Sequence, residues 1–144
     1  MGFGFAETMQ GTWHRADDGE VGRFAFTVKV SSGPLAGFQR TRLATMSGTV
    51  DVAGLATRQP LAGTMELRPW LGRRIRYRFE FTGDDGERYG FDGQKDIRWL
   101  DARRTWTELP GEITDAGGRL VGTAKARFDL RADMVAFVRS FHLA

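Results

Sequence analysis

The sequence predicts an all-β domain: an eight-stranded antiparallel up-and-down barrel with a C-terminal α-helix. Three observations carry that reading. Apolar and polar residues alternate with period two over repeated short stretches, the pattern of half-buried strands. Turn signals rich in Gly and Asp separate these stretches at short intervals, leaving no room for the crossover helices that parallel strands need. Only after Asp129 does the period lengthen to that of a helix. At 144 residues the chain reads as one domain, 1–144, long enough to bury roughly two-thirds of its unfolded surface.

The first strand, near 3–14, places Phe3, Phe5, Glu7, Met9, Gly11 and Trp13 on one face. Asp17-Asp18-Gly19 then turns the chain into a strand near 22–31, which contributes Phe26 to the wall, and Ser32-Gly33-Pro34 precedes strands near 42–52 and 60–68, the latter carrying Met65. The strand near 73–82 faces inward with Ile75, Tyr77, Phe79 and Phe81 and outward with Arg74, Arg76, Arg78 and Glu80. An odd-length loop before it sets Glu66 opposite Arg74. Asp84-Asp85-Gly86 makes a three-residue hairpin loop, with Gly86 taking the left-handed position. That loop places Phe81 opposite Tyr89, Phe79 opposite Phe91, Tyr77 opposite Gly93 and Ile75 opposite Lys95 in a strand near 87–98 whose apolar phase continues to Ile97. A turn at Asp101 to Arg104 lets Trp99 face Trp106 and carries Glu108 inward on a strand near 105–113. Asp115-Ala116-Gly117-Gly118 leads to the last strand, near 119–129. Four strands hold Gly-Thr in mid-strand, at Gly11, Gly48, Gly63 and Gly122. Each glycine lies in the apolar phase and marks either a barrel corner or space left for a ligand. Asp129 is a plausible N-cap for a helix of about 130–142, with Leu130, Met134, Phe137, Val138 and Phe141 on one stripe.

Composition removes several function classes. The chain has no cysteine, and its two histidines, His14 and His142, stand far apart. Disulfides, thiolate catalysis and a metal centre are therefore not expected. No dinucleotide fingerprint, Walker motif or nucleophile elbow occurs, so no cofactor is expected. There is no apolar run long enough for a membrane span, and the N-terminus shows neither a secretory pattern nor a myristoylation site. The expected location is the cytoplasm. Eighteen arginines against three lysines give a net charge of +3. Their densest group, Arg73, Arg74, Arg76 and Arg78, reads as the solvated face of a strand, and nucleic acid is not expected as a partner.

Glu7 and Lys95 break this apolar pattern. Strand side chains alternate between faces, so the wall that faces the core also carries one acid and one lysine. A buried charge is costly unless it is paired or used. Two readings stand: a structural ion pair between strands, or a cavity in which Lys95 binds a carbonyl or carboxylate while Glu7 accepts or carries a proton. In the second, Met9, Trp13, Phe26, Met65, Phe79, Phe91 and Trp106 line the ligand, Tyr77 and Tyr89 offer hydroxyls, and Glu108 adds a second acid.

The run Phe5-x-Glu7-x-Met9-x-Gly11, with Ser47-Gly48-Thr49-Val50, Arg76-Tyr77-Arg78-Phe79-x-Phe81 and Asp85-Gly86-x-x-Tyr89-x-Phe91-x-Gly93-x-Lys95, resembles a domain attached to some bacterial glucose-methanol-choline oxidoreductases of the cholesterol oxidase type. The resemblance runs from about residue 5 to the end of the chain. It implies an accessory or lipid-binding barrel with a flavoprotein oxidoreductase as partner, and it carries over no catalytic residue. Gly11-Thr12-Trp13 is also similar to the Gly-x-Trp of lipocalins, barrels that bind small molecules. The expected function is binding of a lipid- or sterol-like molecule inside the barrel. Two alternatives are a cofactor-independent cyclase or isomerase using Glu7 and Lys95, and a docking module with a packed interior.

Overall fold

The computed structural model describes residues 2–68, 74–96, 108–128 and 142–143. Eight strands form a closed antiparallel barrel: β1 Phe3–Arg15, β2 Val21–Ser31, β3 Leu43–Val52, β4 Ala56–Arg68, β5 Arg74–Thr82, β6 Arg88–Asp96, β7 Glu108–Asp115 and β8 Leu120–Arg127. Each pairs with the next, and β1 closes the ring by pairing with both β2 and β8. A two-residue strand, β9 His142–Leu143, adds to β1 at Phe3 and Gly4. Among the described residues no helix is long and apolar enough to cross a membrane.

The alternation read from the sequence sets the faces. Met9, Trp13, Val28, Val50, Met65, Tyr77, Phe81, Leu109 and Ile113 are buried, while the residues between them point outward. The β5–β6 register matches the hairpin expected from Asp84-Asp85-Gly86, including Tyr77 opposite Gly93 and Ile75 opposite Lys95. Aromatic rings from opposite sides of the ring of strands meet in the bore. Phe24 lies 5.1 Å from Phe91, Phe26 5.3 Å from Phe79, and Phe79 5.0 Å from Phe91, centroid to centroid. β2 stands diametrically across from β6 in the strand order, so these rings form a floor across the whole interior. The Phe91 ring also fills the space beside Gly93 and Gly111, where an added Cβ would lie 2.7 and 2.5 Å from ring carbons.

The Gly-Thr glycines are barrel corners rather than ligand space. A Cβ on Gly11, Gly48 or Gly63 would sit 1.8–1.9 Å from a carbonyl oxygen of the neighbouring strand. Only a residue without a side chain lets the two backbones approach so closely, as the corners of a closed barrel require.

Three features differ from the expectation or lie beyond it. A short helix, α1 Leu35–Thr41, stands between β2 and β3, where only a turn was anticipated. It has no side-chain N-cap and no acid in its first turn, and none of its residues is buried. Seven residues are too few to display an apolar stripe. Glu66 stands opposite Arg76 rather than Arg74, because the connection is two residues longer than supposed; its carboxylate still reaches diagonally to Arg74, 2.7 Å away. The anticipated C-terminal helix and the Trp99–Trp106 pair lie outside the described residues, except that His142 is in β9.

Candidate functional site

The two ends of the barrel are built differently. At one end the chain turns back through 16–20, 53–55, 83–87 and 116–119. At the other stand the segment 32–42, the starts of β1, β5 and β7 and the ends of β4, β6 and β8, strands whose connections are mostly longer in sequence. The aromatic floor separates them, and the buried charges lie on the side of the longer connections.

There three strands bring three polar groups together. Glu7 on β1 stands opposite Val28, Tyr77 on β5 opposite Met65, and Lys95 on β6 opposite Ile75. The Tyr77 hydroxyl donates a 2.6 Å hydrogen bond to Glu7 Oε1. Lys95 Nζ lies 3.7 Å from the same oxygen, an ion pair rather than a hydrogen bond. It also lies 5.2 Å from the centre of the Tyr77 ring, within cation–π range. β1 and β5 face each other across the barrel, so the Tyr77–Glu7 bond spans the bore. Tyr77 is 1% exposed, Lys95 5% and Glu7 8%.

Burial decides the electrostatics. Desolvation lowers the Lys95 ammonium's pKa below its ordinary value, and the nearby Glu7 carboxylate only partly offsets this. Desolvation and the same carboxylate push the Tyr77 phenol well above its ordinary value. The tyrosine is therefore a fixed hydrogen-bond donor, and the lysine is the group whose proton is loosened.

The wall changes character beside Lys95. Among the described residues the β6–β7 ladder ends at Gly93–Gly111, and the next residue of β7 in that direction is Pro110, which has no N–H to continue it. Lys95 is the first inward-facing residue of β6 beyond that point.

The remaining expected site residues divide among three places. Met65 lies beside Tyr77, and Met9, fully buried, stands opposite Phe26. Phe26, Phe79 and Phe91 form the floor. Trp13 belongs to the far end, where its Nε1 donates to the Ala53 carbonyl at 3.2 Å and the Arg15 guanidinium stacks 5.3 Å from its ring centre. Tyr89 is also at the far end: its hydroxyl donates to Asp85 Oδ2 at 2.6 Å, which raises its pKa to about 12, so it supplies no hydroxyl to the interior site. Glu108 points outward, paired with Lys125 at 3.4 Å and Arg127 at 3.9 Å. Leu109 and Ile113 take the inward phase instead, so the strand is offset by one residue from the expectation. Trp106 lies outside the described residues. The sequence reading left out Val28, opposite Glu7, and Val30 and Met46, which are paired to each other on β2 and β3 and buried; their period-two apolar phase was the available signal.

The arginine stripe on the outer face is paired with acids. Arg76 binds Asp92 through two nitrogens at 2.7 and 3.0 Å, Arg78 reaches the same carboxylate at 3.4 Å, and Arg88 meets Glu80 at 3.0 Å. Among the described residues no three potential metal ligands gather. No protein-family model, curated protein or solved structure matches this chain.

Proposed function

We propose that this barrel binds a largely apolar small molecule carrying one polar group. The apolar body is held on the longer-connection side of the aromatic floor, and the polar group meets Lys95 and Glu7. The observation that carries this reading is the convergence of Glu7, Tyr77 and Lys95, from three strands, in an interior otherwise lined by apolar side chains. A core that only had to be stable has no need of them, because well-packed apolar residues often replace a buried ion pair at no cost in stability. In this use the domain is lipocalin-like. The resemblance to domains attached to flavoprotein oxidoreductases extends the proposal to a ligand shared with such an enzyme.

The test is titration with Nile red, a neutral apolar dye, following its emission in the wild type and in Lys95→Met. Loss of a charge-assisted hydrogen bond is expected to weaken binding about tenfold to a hundredfold while the far-ultraviolet circular dichroism is unchanged. Equal affinity in both proteins removes Lys95 from the site. A second reading is favoured by the 2.6 Å Tyr77–Glu7 bond itself: the three groups form a tie across a packed bore. That reading requires Lys95→Met to lose about 3–5 kcal/mol of stability, since Glu7 is then buried without its counter-charge.

A further inference from the structure

We propose that Lys95 is a covalent capture residue: its amine forms a Schiff base with the carbonyl group of an apolar aldehyde or ketone held in the barrel. The inference rests on the ligand-binding reading and adds to it the ligand's chemical class and the bond that holds it.

Three features of the site favour a carbonyl. The site is already balanced in charge, one carboxylate against one amine. An anionic head group placed on Lys95 would face the Glu7 carboxylate, only 3.7 Å from Nζ, and would be repelled by it; a neutral carbonyl would not. The Tyr77 hydroxyl is committed to Glu7 Oε1 at 2.6 Å, which holds that carboxylate in place, whereas Nζ stands beyond hydrogen-bond distance of it. The amine is thus desolvated yet held by no short bond to Glu7. Finally, among the described residues Lys95 lies just past the last pair of the β6–β7 ladder, Gly93–Gly111.

These groups suffice for the chemistry. The Nζ lone pair attacks the carbonyl carbon, forming the C–N bond as the C=O π bond opens to an alkoxide. A proton from nitrogen passes by way of the Glu7 carboxyl group to that oxygen, giving a carbinolamine. Glu7, which holds the proton that the resting Lys95 ammonium released to become the neutral amine, delivers it to the hydroxyl; the C–O bond breaks, water leaves, the nitrogen lone pair forms the C=N double bond, and Glu7 is a carboxylate again. The resulting iminium cation takes the place of the ammonium opposite Glu7, so the ion pair is kept. A desolvated lysine suits the first step because only the neutral amine is nucleophilic. Burial acts in that direction here, and each unit of lowering raises the neutral fraction about tenfold.

The chain has three lysines, Lys29, Lys95 and Lys125, and the first and last are exposed. They are internal controls in the same molecule. The protein is incubated near neutral pH with decanal, examined by native mass spectrometry without reductant, then treated with borohydride, digested and mapped. Hydride addition to an imine fixes the probe as a secondary amine. The expected result is an adduct on Lys95 at least about tenfold more abundant than on either exposed lysine. Decanal retained in the native spectrum, with label only on Lys29, Lys125 and the N-terminal amine, overturns the covalent step and leaves the binding reading standing. Absence of both retained decanal and Lys95 label overturns the two together.

Discussion

Tyr77→Phe isolates the hydroxyl that spans the bore. The ring remains, and with it the contacts to Phe26, 6.0 Å between centroids, and to Lys95, 5.2 Å from its centre. What is lost is a 2.6 Å hydrogen bond to a carboxylate in a place where water cannot substitute freely. Hydrogen bonds to charged groups contribute about 1.5–3 kcal/mol; with Tyr77 only 1% exposed, the upper part of that range applies, about 2–3 kcal/mol. For a chain of this length each kcal/mol moves the melting midpoint by roughly 4 °C, so a fall of roughly 8–12 °C is expected. Urea unfolding followed by circular dichroism gives the free energy directly, and the unchanged burial requires an unchanged m value. Combining the substitution with Glu7→Gln tests the partner: the double variant should lose less than the sum of the single losses, because each removes the same bond. A loss below about 0.5 kcal/mol for Tyr77→Phe, or strict additivity with Glu7→Gln, would refute the cross-barrel tie.

Alkaline pH should reveal the two perturbed groups with opposite signs. The Lys95 pKa is lowered in the folded state from 10.5, so the unfolded chain binds more protons between the folded value and 10.5, and stability gains from this group as pH rises through that window. The Tyr77 pKa is raised from 10.0, so above pH 10 the unfolded chain releases its proton first and stability falls. Lys95→Met should flatten the gain and Tyr77→Phe reduce the fall in a pH series of denaturation curves; identical profiles in wild type and variants would contradict both shifts. Gly63→Ala drives a Cβ to 1.9 Å from the Arg78 carbonyl oxygen and should cost about 3 kcal/mol, whereas Gly37→Ala in α1, with nothing within 4 Å, should stabilise by about 0.5–1 kcal/mol; equal melting midpoints for the two would show that the corner is not tight. Arg76→Ala removes the bidentate pair with Asp92, whose side chain is 45% exposed, and should cost no more than about 1 kcal/mol in dilute buffer and less in high salt; a cost that persists in molar salt would show that more than the ion pair is lost.

The strand faces and one whole hairpin were legible in the sequence because alternation and turn chemistry are local. Asp84-Asp85-Gly86 dictates a loop length, the loop dictates the register, and the register puts Lys95 inside. The partnership of Glu7 with Tyr77 was not legible, since alternation states which face a residue occupies but not which strand stands across the bore. Glu108 was misread for a related reason: the turn read at Asp101 to Arg104 has no Asp-Gly signal to fix its length, so the phase of the next strand could not be carried forward from Lys95, and Trp106 competed with Leu109 and Ile113 as the apolar marker. The helix α1 escaped notice because it lacks a capping side chain, an acidic first turn and a buried stripe, the three signals by which a helix announces itself.

The aromatic floor has a consequence for how this molecule can change over time. Four rings jam the bore like a bung in a pipe, so the half closed by short turns can hold its shape whatever is grafted or deleted at the other rim. Substitutions around Glu7, Tyr77 and Lys95 are screened from that half by tightly packed rings such as Phe26, Phe79 and Phe91. A lineage built on this plan is free to change the residues around Glu7, Tyr77 and Lys95 without first rebuilding the other half of the vessel.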